Sequence, residues 1–262
     1  MFALFYSWIF ISGTCIGSFL NVLILRLGST EHNFLSPRSH CYHCHRTILW
    51  RDLVPILSWF YLRGRCRHCQ HRFSFRYVLV ELGIGILALF CAAYANTALQ
   101  GAEIFIFCAL LVATGLIDLD TWMIPLQLPA IMILTGLGFG YFQSLELFEE
   151  RLIGLFAGFI FFAVFLVLST WILRHLKRLE SDQNSMGWGD PILIAGIGAN
   201  LGWFFLPWMV FLASLQGIVI YLIFSSEILS SGHKTWIPPA RSMPFGPFLA
   251  LSAIEISLYN MI

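Results

Sequence analysis

The stretch Ile117-Asp118-Leu119-Asp120-Thr121-Trp122-Met123-Ile124-Pro125 closes an apolar run over about 101–117 and directly precedes another over about 124–142. Runs of this length cross a bilayer as helices, since about 20 residues rising about 1.5 Å each cover a hydrocarbon core of about 30 Å. An acidic pair between two such runs marks a membrane edge. Outward from it, further spans are expected at about 3–27, 77–99, 152–173 and 243–262. Residues 191–224 carry no charge for 34 positions, too long for one helix, and are expected to break near Gly202–Pro207. The fold class that follows is all-α, a polytopic membrane bundle of about eight helices.

Composition agrees. The chain is 58% hydrophobic and 11% charged, with a mean hydropathy of +0.80, against about 45–50% and about 25% in soluble domains. A net charge of +1 does not point to nucleic acid, and the placement of charge is more informative than its sum. Residues 1–27 lack a basic leader region and a convincing small-residue cleavage site, so they read as a retained span. Nine of the fifteen Lys and Arg residues lie in or beside the segment between the first two spans. Cations accumulate on the cytoplasmic side, so that segment is expected inside. Alternation then puts the Glu146, Glu149 and Glu150 loop and both termini outside, with Arg174, Lys177 and Arg178, and Lys234 and Arg241, inside. The division expected is a first helix at 1–27, a cytoplasmic tetra-cysteine domain at 28–76 and a seven-helix membrane domain at 77–262. No internal repeat is visible.

That topology places Asp118 at the inner end of the third span. Asp190, in Gly187-Trp188-Gly189-Asp190, opens the sixth span on the same face. Ionisable residues at a span are costly and mark functional candidates. Two readings stand at this point. Asp118 and Asp120 can simply end a span while Asp190 caps a helix whose first position is Pro191. Alternatively, two carboxylates share one proton as an aspartic dyad, one drawing a proton from water and the other hydrogen-bonding a scissile carbonyl, with no metal required. Gly187 and Gly189 would then let the loop backbone approach an extended peptide. If the helix continues past Asp118, Asp118 and Asp120 point about 200° apart, so only one faces a partner. Spacing does not choose between them.

Cys15, Cys91 and Cys108 stand alone in apolar runs and read as packing residues. Cys41-x2-Cys44 and Cys66-x2-Cys69 share one polar segment, where four thiolates suit tetrahedral Zn²⁺ in a closed structural site. A reducing cytoplasm disfavours disulfides, leaving free thiols or a redox pair as the other readings. A segment this small needs such a staple. His32, His40, His43, His45, His68 and His71 lie in the same loop and read as surface residues. The loop is the one sizeable cytoplasmic feature, suited to shaping access for a substrate. Asn21 and Glu81 read as helix-packing or snorkelling residues.

Taken together these residues resemble the type IV prepilin peptidase family, membrane aspartic peptidases with a GxGD element. The resemblance runs through Gly17-Ser18-Phe19-Leu20-Asn21-Val22, the two CxxC pairs, Val54-Pro55-Ile56-Leu57-Ser58-Trp59, Val80-Glu81-Leu82, Gly187-Trp188-Gly189-Asp190 and Pro244-Phe245-Gly246-Pro247-Phe248. It implies that Asp118, seven residues before Pro125, and Asp190 are the catalytic pair. It further implies removal of a short basic leader from type IV prepilins or type II secretion pseudopilins, at the cytoplasmic face of the bacterial inner membrane. In many members N-methylation from S-adenosylmethionine follows. Pro191-Ile192 stands where the family commonly has Val-Lys, Gly28 where a proline often follows Arg-Leu, and Leu126 where an acidic or amide residue is common. These departures bear on substrate preference more than on reaction class. The readings from other classes are a proton-coupled transporter and a non-catalytic assembly scaffold. Transporters place polar groups near the midplane, whereas these aspartates lie at the inner edge.

Overall fold

The computed structural model describes residues 2–28, 39–176, 187–231 and 244–261. His32, Arg38, Lys177, Arg178, Lys234 and Arg241, some of which carried the orientation argument, lie outside these residues. Among the described residues the regular secondary structure is helical, apart from two isolated β-bridges. The helices are α1 (Phe2–Gly28), α2 (Leu57–Tyr61), α3 (Arg76–Tyr94), α4 (Ala98–Thr121), α5 (Gln127–Gln143), α6 (Leu145–His175), α7 (Gly189–Leu201), α8 (Leu206–Ser231) and α9 (Gly246–Tyr259). Five of them, α1, α3, α4, α6 and α8, are long and apolar enough to cross a membrane, and the chain is a multi-pass membrane protein. The other three expected spans are the shorter helices α5, α7 and α9, of 17, 13 and 14 residues. At about 20 Å, α7 is shorter than a hydrocarbon core.

Two boundaries carry meaning. Helix α4 does not stop at 117 but runs to Thr121, because the carboxylates at 118 and 120 cost a helix little when its backbone bonds continue. Trp122, at φ 59°, then turns the chain out of the helix. In the charge-free run, α7 ends at Leu201 and Gly202 takes φ 77°, a left-handed geometry that glycine adopts without strain. The break falls where the length argument put it.

The chain forms two compact units, one up to Ala109 and one over Leu110–Asn260, with α4 beginning in the first and ending in the second. In the first unit α1 packs along α3. A β-carbon at Gly13 would lie 2.7 Å from Cβ of Ala88, and one at Gly17 would lie 2.8 Å from Cα of Glu81. Between helices in lipid, where tails are as apolar as the side chains, close backbone approach at small residues supplies the attraction. Asn21 adds a polar fastening, its Nδ2 donating to the Tyr77 carbonyl at 3.0 Å.

The segment between α1 and α3 carries its own ion pair. Arg67 donates from Nε and Nη2 to the two oxygens of Asp52, at 2.9 and 2.6 Å, a bidentate geometry. The guanidinium lies 5.9 Å from the centre of the Tyr61 ring. Hydrogen bonding from Arg67 holds the Asp52 carboxyl below its ordinary range, against the smaller opposing effect of desolvation.

In the second unit α7 lies between α5 and α6, and its glycines and alanine set the spacing. A β-carbon at Gly198 would run into the carbonyl of Gly154 on α6, and one at Gly136 on α5 would run into the carbonyl of Ala199. Leu193, Ile194, Ile197 and Ala199 are all buried. Asn200 donates from Nδ2 to the Met132 carbonyl at 2.9 Å, and buried Arg151 donates from Nη1 to the Gly136 carbonyl at 2.6 Å. Both bonds fix α5 to its neighbours. Helix α9 approaches α4 at Gly115, where a β-carbon would lie 3.3 Å from Cβ of Ala250.

Two outcomes are expected. Gly198→Val should destabilise the protein by at least about 1–3 kcal/mol through overpacking, whereas Gly138→Ala, with open space around it, should be neutral or stabilising by about 0.5–1 kcal/mol; thermal unfolding in detergent compares them. The depressed Asp52 carboxyl contributes stability that is present above its unfolded pKa of about 4 and is lost as pH falls through the lower folded value. Melting temperatures of wild type and Asp52→Asn, measured down that pH range, should therefore converge as the pH falls.

Candidate active site

Asp118 lies in the last turn of α4 and is 5% exposed, while Asp120, two residues on, is exposed. Continuation of the helix to Thr121 turns the two carboxylates to different sides, and it is Asp118 that faces inward. Its Oδ2 accepts the backbone N–H of Gly246 at 3.1 Å, in buried surroundings. Phe245 and Gly246 open α9, so this N–H is one of the donors that a helix start leaves without an intrahelical acceptor. A carboxylate at such a position also meets the positive end of the helix dipole.

Gly246 is there for space. A β-carbon at this position would lie 2.5 Å from Oδ2 and 3.1 Å from Cγ of Asp118. Ile124 closes the same place from the α4–α5 connection. Its side chain would meet a β-carbon on Gly246 at 3.3 Å and one on Gly189 at 2.9 Å. Thus Ile124 packs against both the glycine beside Asp118 and the glycine preceding Asp190.

Asp190 is the second residue of α7, half-buried, with Pro191 next and buried. The capping reading takes a different form from the one expected, because Asp190 lies inside the first turn and Trp188 holds the N-cap position without a side-chain cap bond. An acidic group in the first turn still complements the dipole. Asp190 lies within electrostatic range of Asp118. Gly187 and Trp188 are exposed, and a β-carbon on Gly187 would lie 4.0 Å from Oδ2 of Asp190, so the bare backbone here flanks the carboxylate. The fold thus brings together Asp118, Asp190, Gly187 and Gly189, and leaves Asp120 on the surface. Two contributors carried no assigned role in the sequence reading: Gly246, whose signal was a glycine between two prolines before the last apolar run, and Ile124, which carried no signal beyond its apolarity.

The four loop cysteines also come together. The Sγ atoms of Cys41, Cys44, Cys66 and Cys69 all lie within 4.8 Å of one another, with Cys41 and Cys69 at 3.7 Å. Each CxxC pair sits in the same small turn. The Cys41 N–H donates to the Arg46 carbonyl as the Cys66 N–H does to that of His71, and the His45 N–H donates to the Cys41 carbonyl as the Gln70 N–H does to that of Cys66. His45 and Gln70 both take positive φ, 54° and 57°, and the bridges His40–Thr47 and Arg65–Arg72 close the two turns. This is a local repeat, Cys-x-His-Cys twice over, which the sequence reading did not find. His43 and His71 stack on each other at 4.9 Å.

The sulfurs bear on what the cluster can hold. At Cys66 burial raises the thiol pKa, but hydrogen bonds from the Cys69 and His68 backbone and from the Cys69 and Cys41 side chains outweigh it, leaving the group at about 7. At Cys69 the His71 backbone bond lowers the value, while desolvation and the bonds to Cys66, Cys44 and Cys41 raise it to about 12. One sulfur ionises readily and the next then resists. Four thiolates at this spacing need a cation among them, and the donor set and separations fit a tetrahedral metal.

Comparison with known proteins adds a family to this geometry. Residues 11–95 match the profile of the Bacterial Peptidase A24 N-terminal domain, and residues 105–222 match that of the Type IV leader peptidase family. A protein of Aeromonas hydrophila named prepilin leader peptidase/N-methyltransferase is 35% identical, over 95% of this chain and 89% of its own length. Proteins of the same name from Pectobacterium carotovorum and Myxococcus xanthus are 32% and 28% identical, over 98% and 97% of this chain and 95% and 90% of their own lengths. No solved structure matches the chain significantly. With matches across both its halves and relatives of this similarity spanning nearly its whole length, the chain belongs to the type IV leader peptidase family.

Proposed function

We propose that this protein is a membrane aspartic endopeptidase that removes the short basic leader of type IV prepilins or type II secretion pseudopilins, and that it then methylates the new N-terminus. The observation that carries the peptidase reading is the inward-facing Asp118 carboxylate, tied to the Gly246 amide and within electrostatic range of Asp190. Two carboxylates so placed do not both ionise easily and hold one proton between them. The ionised member draws a proton from a water molecule as it attacks the scissile carbonyl, and the protonated member hydrogen-bonds the carbonyl oxygen as charge develops there. The Gly246 N–H stabilises the charged form of Asp118. The exposed backbone at Gly187 supports an extended peptide beside the pair, while Gly189, half-buried, leaves room for Ile124.

The cysteine cluster supports a structural Zn²⁺ held by Cys41, Cys44, Cys66 and Cys69. With all four positions filled by protein, it takes no part in proteolysis. The methyltransferase in the relatives' names supports S-adenosylmethionine as methyl donor. The concentration of arginines between α1 and α3 supports an inner-membrane protein with that segment and the aspartates on the cytoplasmic side and both termini on the other, in contact with membrane lipids. The division at 1–27, 28–76 and 77–262 belongs to the same proposal.

Purified protein in lipid is incubated with a prepilin and leader removal is followed by gel shift. Asp118→Asn and Asp190→Asn should each lower the rate about 10²-fold or more, and Asp120→Asn should leave it near wild type. Normal cleavage by either of the first two would exclude the pair. Gly246→Ala, which displaces the Asp118 carboxylate without removing it, should cost up to about 10²-fold while the protein remains folded. Metal analysis should find zinc in the active preparation, and Cys66→Ser should lose it together with thermal stability of the loop.

A further inference from the structure

The segment between α1 and α3 turns an apolar side outward. In α2, Leu57, Phe60 and Tyr61 are 68, 57 and 78% exposed. At spacings i, i+3 and i+4 they share one face of this short helix, so the face that a soluble domain would bury points away from the protein. Trp50, Leu53 and Val54, in or beside the 3₁₀ turn Trp50–Leu53 that precedes α2, are exposed as well. Single exposed apolar residues are ordinary. A set of them together marks a membrane or protein contact.

The position of α2 decides between the two, and two contacts fix it to α3. Ile56, at φ 62°, occupies a region that a β-branched residue enters only under strain, and its N–H donates to Oε2 of Glu81 at 2.7 Å. Glu81 is buried against α1, where a β-carbon on Gly17 would lie 2.8 Å from its Cα. It stands five residues inside α3, about 7.5 Å along the axis. The chain entering α2 thus comes within one side chain of the second turn of a spanning helix. Trp59 then meets Phe75 edge-on, with ring centroids 5.1 Å apart. Phe75 heads a stripe, Phe75, Leu79, Leu82 and Ile86, that is exposed throughout and recurs at helical spacing. On a helix that crosses a membrane, such a stripe faces lipid. Helix α2 therefore sits at the head of a lipid-facing surface and continues it.

Charge fits the same partner. Trp59 also covers Gly64, where a β-carbon would lie 2.6 Å from its indole ring, and this brings the exposed Arg63 and Arg65 up to α2. Guanidinium groups beside an apolar face complement lipid phosphates, at the depth where aromatic rings collect.

We propose that α2 is an interfacial anchor. Leu57, Phe60 and Tyr61 enter the boundary between headgroups and acyl chains of the bilayer that α1 and α3 cross, with Arg63 and Arg65 on the phosphates. The cysteine turns, which flank α2 in the chain, are thereby held against the membrane surface instead of standing free of it. The anchor needs only that α1 and α3 span the bilayer. It is independent of the peptidase and methyltransferase activities and of the side on which the segment lies.

The experiment uses full-length protein in bilayer discs of phosphatidylcholine and phosphatidylglycerol. The photoreactive residue p-benzoylphenylalanine replaces Leu57, Phe60 or, as a lipid-facing reference, Ile86, and the irradiated protein is read by mass spectrometry. Positions 57 and 60 should give lipid adducts as position 86 does. Lipid adducts at 86 alone, or cross-links from 57 or 60 to a second copy of the chain, would overturn the anchor. Limited trypsin digestion reads the same contact without the probe. Cleavage after Arg63 and Arg65 should be at least about tenfold faster in Leu57→Ser/Phe60→Ser than in wild type, at unchanged metal content, and wild type should be cut faster in discs of phosphatidylcholine alone. Equal rates in variant and wild type would overturn the apolar contact, and equal rates in the two lipids would overturn the arginine contact.

Discussion

One buried hydrogen bond, from the Gly246 N–H to the Asp118 carboxylate, depends on most of the second unit. It needs α4 to continue past the end of its apolar run so that Asp118 turns inward. It needs α9 to begin where it does, so that an N–H is left over at the helix start. It also needs a residue without a side chain, since even one methyl at 246 would occupy the space of the carboxylate oxygen. In a low-dielectric interior such a bond is strong when made and costly when lost. Ile124, wedged against Gly246 and Gly189, keeps this corner closed.

Asp190 is held by packing of another kind. Helix α7 is short and composed of small residues at the positions that touch α5 and α6, so its backbone lies against theirs. In lipid no hydrophobic gain drives helices together, and contact density at small residues does that work. The polar bonds of Asn200 and Arg151 to neighbouring backbone carbonyls then set the rotation of these helices. A helix gripped over most of its length presents its first turn, and Asp190 with it, in one position.

The first unit solves a different problem. The polar segment between α1 and α3 is too small for a core of its own, and it is organised by two like turns that deliver four sulfurs to one point, by the Asp52–Arg67 pair, and by the reach of Glu81 to the amide of Ile56. The last of these is the one that costs strain, with Ile56 held at φ 62°.

Much of this was legible beforehand. Spans, the break near Gly202, the two acidic edges and the paired cysteines depend on local composition set against the bilayer and on ligand spacing, and both are properties of neighbouring residues. The repeat of the cysteine turns was hidden because only Cys-x-His-Cys is shared, the rest being backbone geometry. Helix α4 outran its expected end because a hydropathy run measures where apolar side chains stop, whereas a helix stops where its backbone bonds do. Which of Asp118 and Asp120 faces inward, the Gly246 amide that meets it and the strained Ile56 that Glu81 holds were decided only by tertiary structure. Each depends on contact between residues far apart in the chain, and spacing along a sequence carries no record of that.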